Sequence, residues 1–181
     1  MAGVYESGGK NIIETVEVTF KYTQAEYVKA DRQYLIASKT ISKTSIVILA
    51  IFLPASLIYL FFTSYSILGI IFIAVGIVAA IVGSALYFYI PIYKFKITPK
   101  YNDEYILSFS GDGIAFRTPS IDSIIKWDMY SEIWESMEFY FLIQSPRLYT
   151  LIPKRIFKSP DDMRIFEEIA VTNLKCTKRQ I

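Results

Sequence analysis

From Thr44 to Tyr93 the chain runs for fifty residues without a charged side chain, while on either side polar and apolar positions trade places every two to four residues. One helix of that length would stretch roughly 75 Å at about 1.5 Å per residue, whereas a bilayer's hydrocarbon core is about 30 Å thick and takes about 20 residues to cross. The run therefore reads as two crossings. The polar break Thr63-Ser64-Tyr65-Ser66 separates helices expected at about Ser45 to Phe62 and Ile67 to Ile90, the second closed by Pro91. Pro54 predicts a kink in the first.

The flanks carry shorter periods. Ile12 to Phe20 alternates as a strand, with Val16, Val18 and Phe20 on one face. Thr23 followed by Glu26 predicts a capping box. The helix it opens aligns Tyr27, Ala30, Tyr34, Ala37 and Ile41, and sets Lys29, Arg32 and Lys39 opposite. That helix lies on a membrane surface or packs on the soluble part, and its tyrosine-alanine stripe favours packing. After the apolar run, strands are expected at Glu104–Ser110, Ile114–Thr118, Ile121–Trp127, Tyr130–Glu135, Phe139–Gln144 and Leu148–Pro153. Turns at Gly111-Asp112-Gly113, Thr118-Pro119-Ser120, Ser136-Met137-Glu138 and Ser145-Pro146-Arg147 separate them. Ser159, Pro160, Asp161 and Asp162 start a last helix that buries Met163, Phe166, Ile169, Ala170 and Leu174. The basic tail from Lys175 to Ile181 is expected to fray.

The expected fold class is an α+β membrane protein: a two-helix transmembrane hairpin plus a PH-like antiparallel β-barrel or sheet capped by a C-terminal helix. Residues 1–43 form an N-terminal strand and amphipathic juxtamembrane helix, 44–93 the hairpin, and 94–181 the cytoplasmic domain, which the strand at 12–20 can complete as a seventh strand.

Charge sets the orientation. Lys29, Arg32, Lys39 and Lys43 precede the first crossing, Lys94, Lys96 and Lys100 follow the second, and the connecting turn has neither lysine nor arginine. Both termini are then cytoplasmic, in a multi-pass protein of the inner or plasma membrane. Tyr59, Phe61, Phe62 and Tyr65 mark the outer interface and Tyr87, Tyr89 and Tyr93 the inner one. Met1 to Lys10 has no apolar stretch, so no cleavable signal is expected there. The net charge is +2 and evenly spread, which excludes the basic excess of a nucleic-acid binder. No histidine is present, and the single cysteine, Cys176, cannot form an intramolecular disulfide.

These elements resemble the YcxB-like family of small bacterial membrane proteins. The residues that carry the resemblance are VEVTFKYTQAEYVKA at 16–30, the two-pass run, FSGDGIAFRT at 109–118, IIKWDMYSEIWE at 124–135, FYFLIQS at 139–145 and YTLIPKRIF at 149–157. The resemblance implies a membrane-anchored, PH-like cytoplasmic domain and no particular activity. Related bacterial PH-like membrane proteins include some linked to self-protection against bacteriocins.

Lys154 and Arg155 are the candidates for contact with anionic headgroups or a partner; a basic strand end that blocks edge pairing is the plainer alternative. Trp127 and Trp134 flank Asp128, Glu132 and Glu135, either as ligand-recognising aromatics or as core anchors. Gly69, Gly76, Ala80 and Gly83 line a small-residue seam on the second helix, suited to close helix packing against the first helix or a second copy. The paired carboxylates Asp103-Glu104, Asp161-Asp162 and Glu167-Glu168 converge on nothing by spacing. No catalytic residue, metal or cofactor is expected, and no charged group lies inside the apolar run to serve transport. The functional expectation is a membrane-anchored binding or scaffold domain that recognises a protein partner or anionic lipid headgroups. The partners are then the bilayer and a protein, or self-association through the hairpin, with no nucleic acid. An immunity or stress-protection protein and a subunit of a larger membrane assembly are the alternatives.

Overall fold

The computed structural model describes residues 15–63, 67–146, 148–174 and 178–181. Expectations for Met1 to Glu14, Ser64 to Ser66, Arg147 and Lys175 to Thr177, Cys176 among them, lie outside these residues. Two compact units divide the chain: the described residues of Met1–Glu26 with those of Thr98–Ile181, and Tyr27–Ile97.

In the first unit, period-two alternation builds the strands. β1 (Val16–Lys21) buries Val16, Val18 and Phe20 and exposes the residues between. It pairs antiparallel with β2 (Glu104–Ser110), from Val16 opposite Phe109 to Lys21 opposite Glu104. β2 returns into β3 (Gly113–Thr118) through the expected turn. Gly113 has φ 153°, and a Cβ there would stand 2.6 Å from the Ile125 carbonyl oxygen, so the position needs glycine. β4 (Ile121–Ile125) completes a sheet ordered β1-β2-β3-β4.

The second sheet is built from β5 (Glu132–Glu135), β6 (Phe139–Ser145), β7 (Leu148–Pro153) and β8 (Arg179–Gln180), in the order β7-β6-β5-β8. Its β5-β8 pair is parallel and the rest antiparallel. The expected barrel is therefore corrected to two four-stranded sheets. β4 does not pair with β5, and among the described residues no strand of one sheet pairs with a strand of the other. The strand expected through Trp127 stops at Ile125, because Trp127–Met129 coil into a 3₁₀ turn and the Trp127 indole N–H donates to the Ser110 carbonyl at 2.7 Å.

α5 (Pro160–Leu174) begins as expected, with the Asp162 amide donating to Ser159 Oγ at 3.0 Å. It buries Phe166 and Ala170 completely. The Phe166 ring meets Phe109 of the first sheet, Tyr140 of the second and Phe157, at centroid distances of 4.7, 5.3 and 5.2 Å. One aromatic side chain thus joins both sheets to the helix. The tail is a second correction: Arg179–Gln180 is not frayed but held on the edge of β5.

α1 (Gln24–Ala37) follows the Thr23 cap in the first unit and belongs to the second from Tyr27 on; within the second unit α2 (Lys43–Phe62) starts on Ser42 and contains Pro54. α3 (Ile67–Ser84) continues through a π-helical turn at Ala85–Tyr89 into α4 (Ile90–Ile97). Pro91 therefore does not close the second helix. Proline lacks the N–H that would serve the carbonyl four residues back. That carbonyl, of Tyr87, accepts instead from Arg32 Nε at 3.1 Å. The Arg32 guanidinium also lies 5.0 Å from the centroid of the Tyr87 ring and 5.4 Å from that of Phe88. Thr44–Phe62 and Ile67–Ile97 are each long and apolar enough to cross a membrane.

Candidate functional site

Of the four candidate contact residues, Trp134 and Lys154 come to one strand edge, on either side of Glu135. Trp127 and Arg155 do not join them. Trp127 is buried, with its indole committed to Ser110. Arg155 grips the capping box of α1. Its Nε and Nη2 both donate to the Glu26 carboxylate, Nη2 at 2.8 Å, and Nη2 also donates to the Lys21 carbonyl at 3.0 Å. This clamp holds the Glu26 carboxyl at about 2, chiefly through the Arg155 hydrogen bond, against a smaller upward pull from burial.

Glu135 sits at the end of β5 with 9% of its surface exposed. Lys154, in the 3₁₀ turn that follows β7, donates to Glu135 Oε1 at 2.5 Å. Its ammonium also lies 4.7 Å from the Tyr140 ring centroid. Glu135 Oε2 accepts from Lys178 Nζ at 3.0 Å and from Gln180 Nε2 at 2.6 Å. Lys178 Nζ reaches Glu167 Oε2 at 2.6 Å, and Glu167 Oε1 accepts from the Tyr140 hydroxyl. Burial by itself would raise the Glu135 carboxyl, but the hydrogen bonds from Lys154, Lys178 and Gln180 outweigh it and hold the group at about 2. Burial pushes the Tyr140 phenol well up, and Glu167 beside it adds to the shift. Lys178 is raised too, because Glu167 and Glu135 overcome the opposing effect of burial.

On the other face of β5 the Trp134 indole donates to Glu132 Oε2 at 2.5 Å, and the Arg179 guanidinium stands 4.6 Å from the Trp134 ring centroid. Lys178 and Gln180 therefore meet a carboxylate on one side of β8, and Arg179 meets an indole on the other, as strand alternation requires. The sequence points to Trp134 and Glu135 but not to Tyr140, and two expectations are corrected: Glu167 does converge on Glu135, through Lys178, and the described part of the basic tail is held. Their partners lie 11 to 45 residues away, and no local period links them.

Lys154 and Arg155 are thus both engaged with the fold's own carboxylates. The cleft beside them, lined by Glu26, Met137, Glu138, Phe139, Pro153, Lys154 and Arg155, encloses about 260 Å³. That falls below the roughly 300–1,000 Å³ of small-molecule pockets. The chemistry available at the β5 edge is recognition of cations and of an extended backbone.

In the hairpin unit the glycine seam divides. A Cβ at Gly69 would fall 2.9 Å from Leu60 Cδ1, and one at Gly76 would fall 2.5 Å from Leu53 Cδ2. These two glycines let α2 and α3 touch. A Cβ at Gly83 would meet nothing within 4 Å. Ala80, half-buried on the same helix, packs less closely than Gly76. Near Gly83 the helices part around a groove of about 470 Å³, lined by Thr40, Ser42 and Ser45 at one end and by Ile46, Leu49, Phe52, Val75, Val82 and Leu86.

No curated protein and no solved structure matches the chain. Residues 109–170, from the end of β2 into α5 and spanning Trp127, Trp134, Glu135, Lys154, Arg155 and Glu167, match the family model described as YcxB-like protein.

Proposed function

We propose that the chain is a membrane-tethered binding protein. α2 and the α3–α4 run cross the bilayer as a hairpin, and a PH-like domain works beside it on the cytoplasmic side, binding a protein partner. The observation that carries this reading is the surface of the hairpin. Only 6% and 11% of the two most apolar eighteen-residue stretches are buried, whereas the core helix of a water-soluble protein is mostly buried. Eight strands in two four-stranded sheets with a helix after β7 support the PH-like assignment. Lys154 and Arg155 hold Glu135 and Glu26, which favours a protein partner over lipid headgroups. The proposed role is binding, not catalysis.

Expressed at full length, the protein is expected to remain with membranes through alkaline carbonate extraction and to float with them in a density gradient. Release into the soluble fraction would overturn the tether. Binding of the detergent-purified protein to anionic vesicles, lost in Lys154→Ala with Arg155→Ala, would move the reading to headgroups. A second reading, a subunit of a larger membrane assembly, is favoured by the open groove at Gly83. Crosslinking between copies or to a second membrane protein from a cysteine at Gly83 would support it, and an uncrosslinked band would remove it.

A further inference from the structure

We infer that the outer edge of β5 is a docking slot for an extended basic segment of a protein partner, and that Lys178–Gln180 is the chain's own occupant of that slot. The inference rests on the partner-binding reading and names the chemistry of the partner.

The slot is built from residues held by bonds that do not involve the tail. Lys154 holds Glu135 Oε1, Tyr140 holds Glu167 Oε1, and Glu132 holds the Trp134 indole, while the tail meets the other oxygen of each of the first two carboxylates and the indole face. The occupant reads these features with period two. Lys178 bridges Glu135 and Glu167, Arg179 covers Trp134, and Gln180 donates to Glu135. The Ile181 amide donates to the Glu135 carbonyl at 2.9 Å and extends the main-chain ladder. This is recognition by strand addition: backbone bonds give affinity, and alternate side chains give specificity.

The occupant is also short and exposed. β8 contributes two paired residues, both exposed, where β6 and β7 pair over most of their length. Segments with few buried contacts open at low free energy. A partner strand with the pattern cation–arginine–amide would satisfy the same three sites and could run past the two residues that β8 pairs. The tail would then act as a low-affinity guard that keeps the edge from pairing with the wrong chain.

The test uses the full chain in mild detergent. The probe is a fluorescein-labelled peptide with the sequence of residues 175–181, its cysteine replaced by serine, and binding is read by anisotropy. Lys178→Ala with Arg179→Ala frees the slot and should bind the peptide at least tenfold more tightly than the unaltered protein. Adding Glu135→Gln should reverse most of that gain. A peptide carrying Arg179→Ala should bind the freed protein at least fivefold more weakly, which needs no further change to the protein. Absence of saturable binding to the freed protein, or binding indifferent to the peptide's arginine, would overturn the inference. Flotation of the same protein reports on the tether separately: a chain that floats but takes no peptide sinks the slot alone.

Discussion

At the scale of single residues, long side chains do what the backbone cannot. Arg32 donates to the Tyr87 carbonyl, for which Pro91 supplies no N–H. The two residues should therefore be coupled. Arg32→Gln is expected to destabilise the protein by about 1.5–3 kcal/mol, as for loss of a hydrogen bond from a charged group, and by distinctly less once Pro91→Ala restores a backbone donor. Thermal unfolding in detergent of the two single variants and the double measures this, and strict additivity would refute it. Glu135 and Glu26 make a second residue-scale prediction. Both carboxyls lie near 2, below their ordinary 4.5. A lowered carboxyl pKa adds stability that is complete above the unfolded value and is lost as pH falls through the folded one. Stability should thus decline between about pH 4.5 and 2, by on the order of 2 kcal/mol per group after allowance for solvent screening. Glu135→Gln should flatten that decline, as read by denaturant unfolding across the range. The local half of this chemistry is legible in the sequence: Thr23 with Glu26, and Ser159 ahead of Pro160, stand at fixed offsets and form the caps they announce. The grip of Arg155 on Glu26 spans 129 residues and has no local signature.

At the scale of elements, the glycines of α3 have two different jobs, although their seven-residue spacing makes them look alike. Gly69 and Gly76 sit where a Cβ would press on Leu60 and Leu53, and Gly83 sits in open space. Gly76→Val should therefore force the helices apart and destabilise the hairpin by about 1–3 kcal/mol. Gly83→Ala should be neutral or stabilise it by up to about 1 kcal/mol, because a helical glycine is replaced by the best helix former. Equal effects at the two positions, measured by denaturation in detergent, would contradict this packing. The second helix also shows where element-level reading stops. Charge-free composition and length place α2 within two residues and the start of α3 at Ile67. The end expected at Pro91 is wrong, because a π-helical turn at Ala85–Tyr89 and a donor from another helix let the chain run on to Ile97. The strands fare similarly. Alternation finds β2, β3, β6 and β7, while Trp127 shortens β4 through a bond to Ser110 that no alternation pattern contains.

At the scale of the whole molecule, one ladder constrains the path of everything inserted into it. Lys21 pairs with Glu104, and β1 continues along β2 for five more residues, so the chain that leaves after β1 comes back to the same place. Paired strands keep their ladder in one aqueous compartment, because an open sheet edge is not stable in hydrocarbon. The proposed crossings must then be even in number, an argument independent of where the lysines fall. Length agrees: α2 spans about 30 Å at about 1.5 Å per residue, which matches one crossing. The 31-residue run from Ile67 to Ile97 spans about 46 Å, roughly ten residues more than the hydrocarbon core needs, and Lys94 and Lys96 fall in that excess at its end. Single cysteines at Thr40, Phe62 and Thr98, each in a Cys176→Ser background, test this directly with a membrane-impermeant thiol reagent on sealed vesicles. Thr40→Cys and Thr98→Cys should label from the same side and Phe62→Cys from the other. Labelling of Thr40→Cys and Thr98→Cys from opposite sides would require β1 to part from β2, and with it would go the sheet that packs against Phe166. Removing residues 1–22 should have the same consequence by a shorter route, since β2 would lose its outer neighbour and the core would lose Val18 and Phe20.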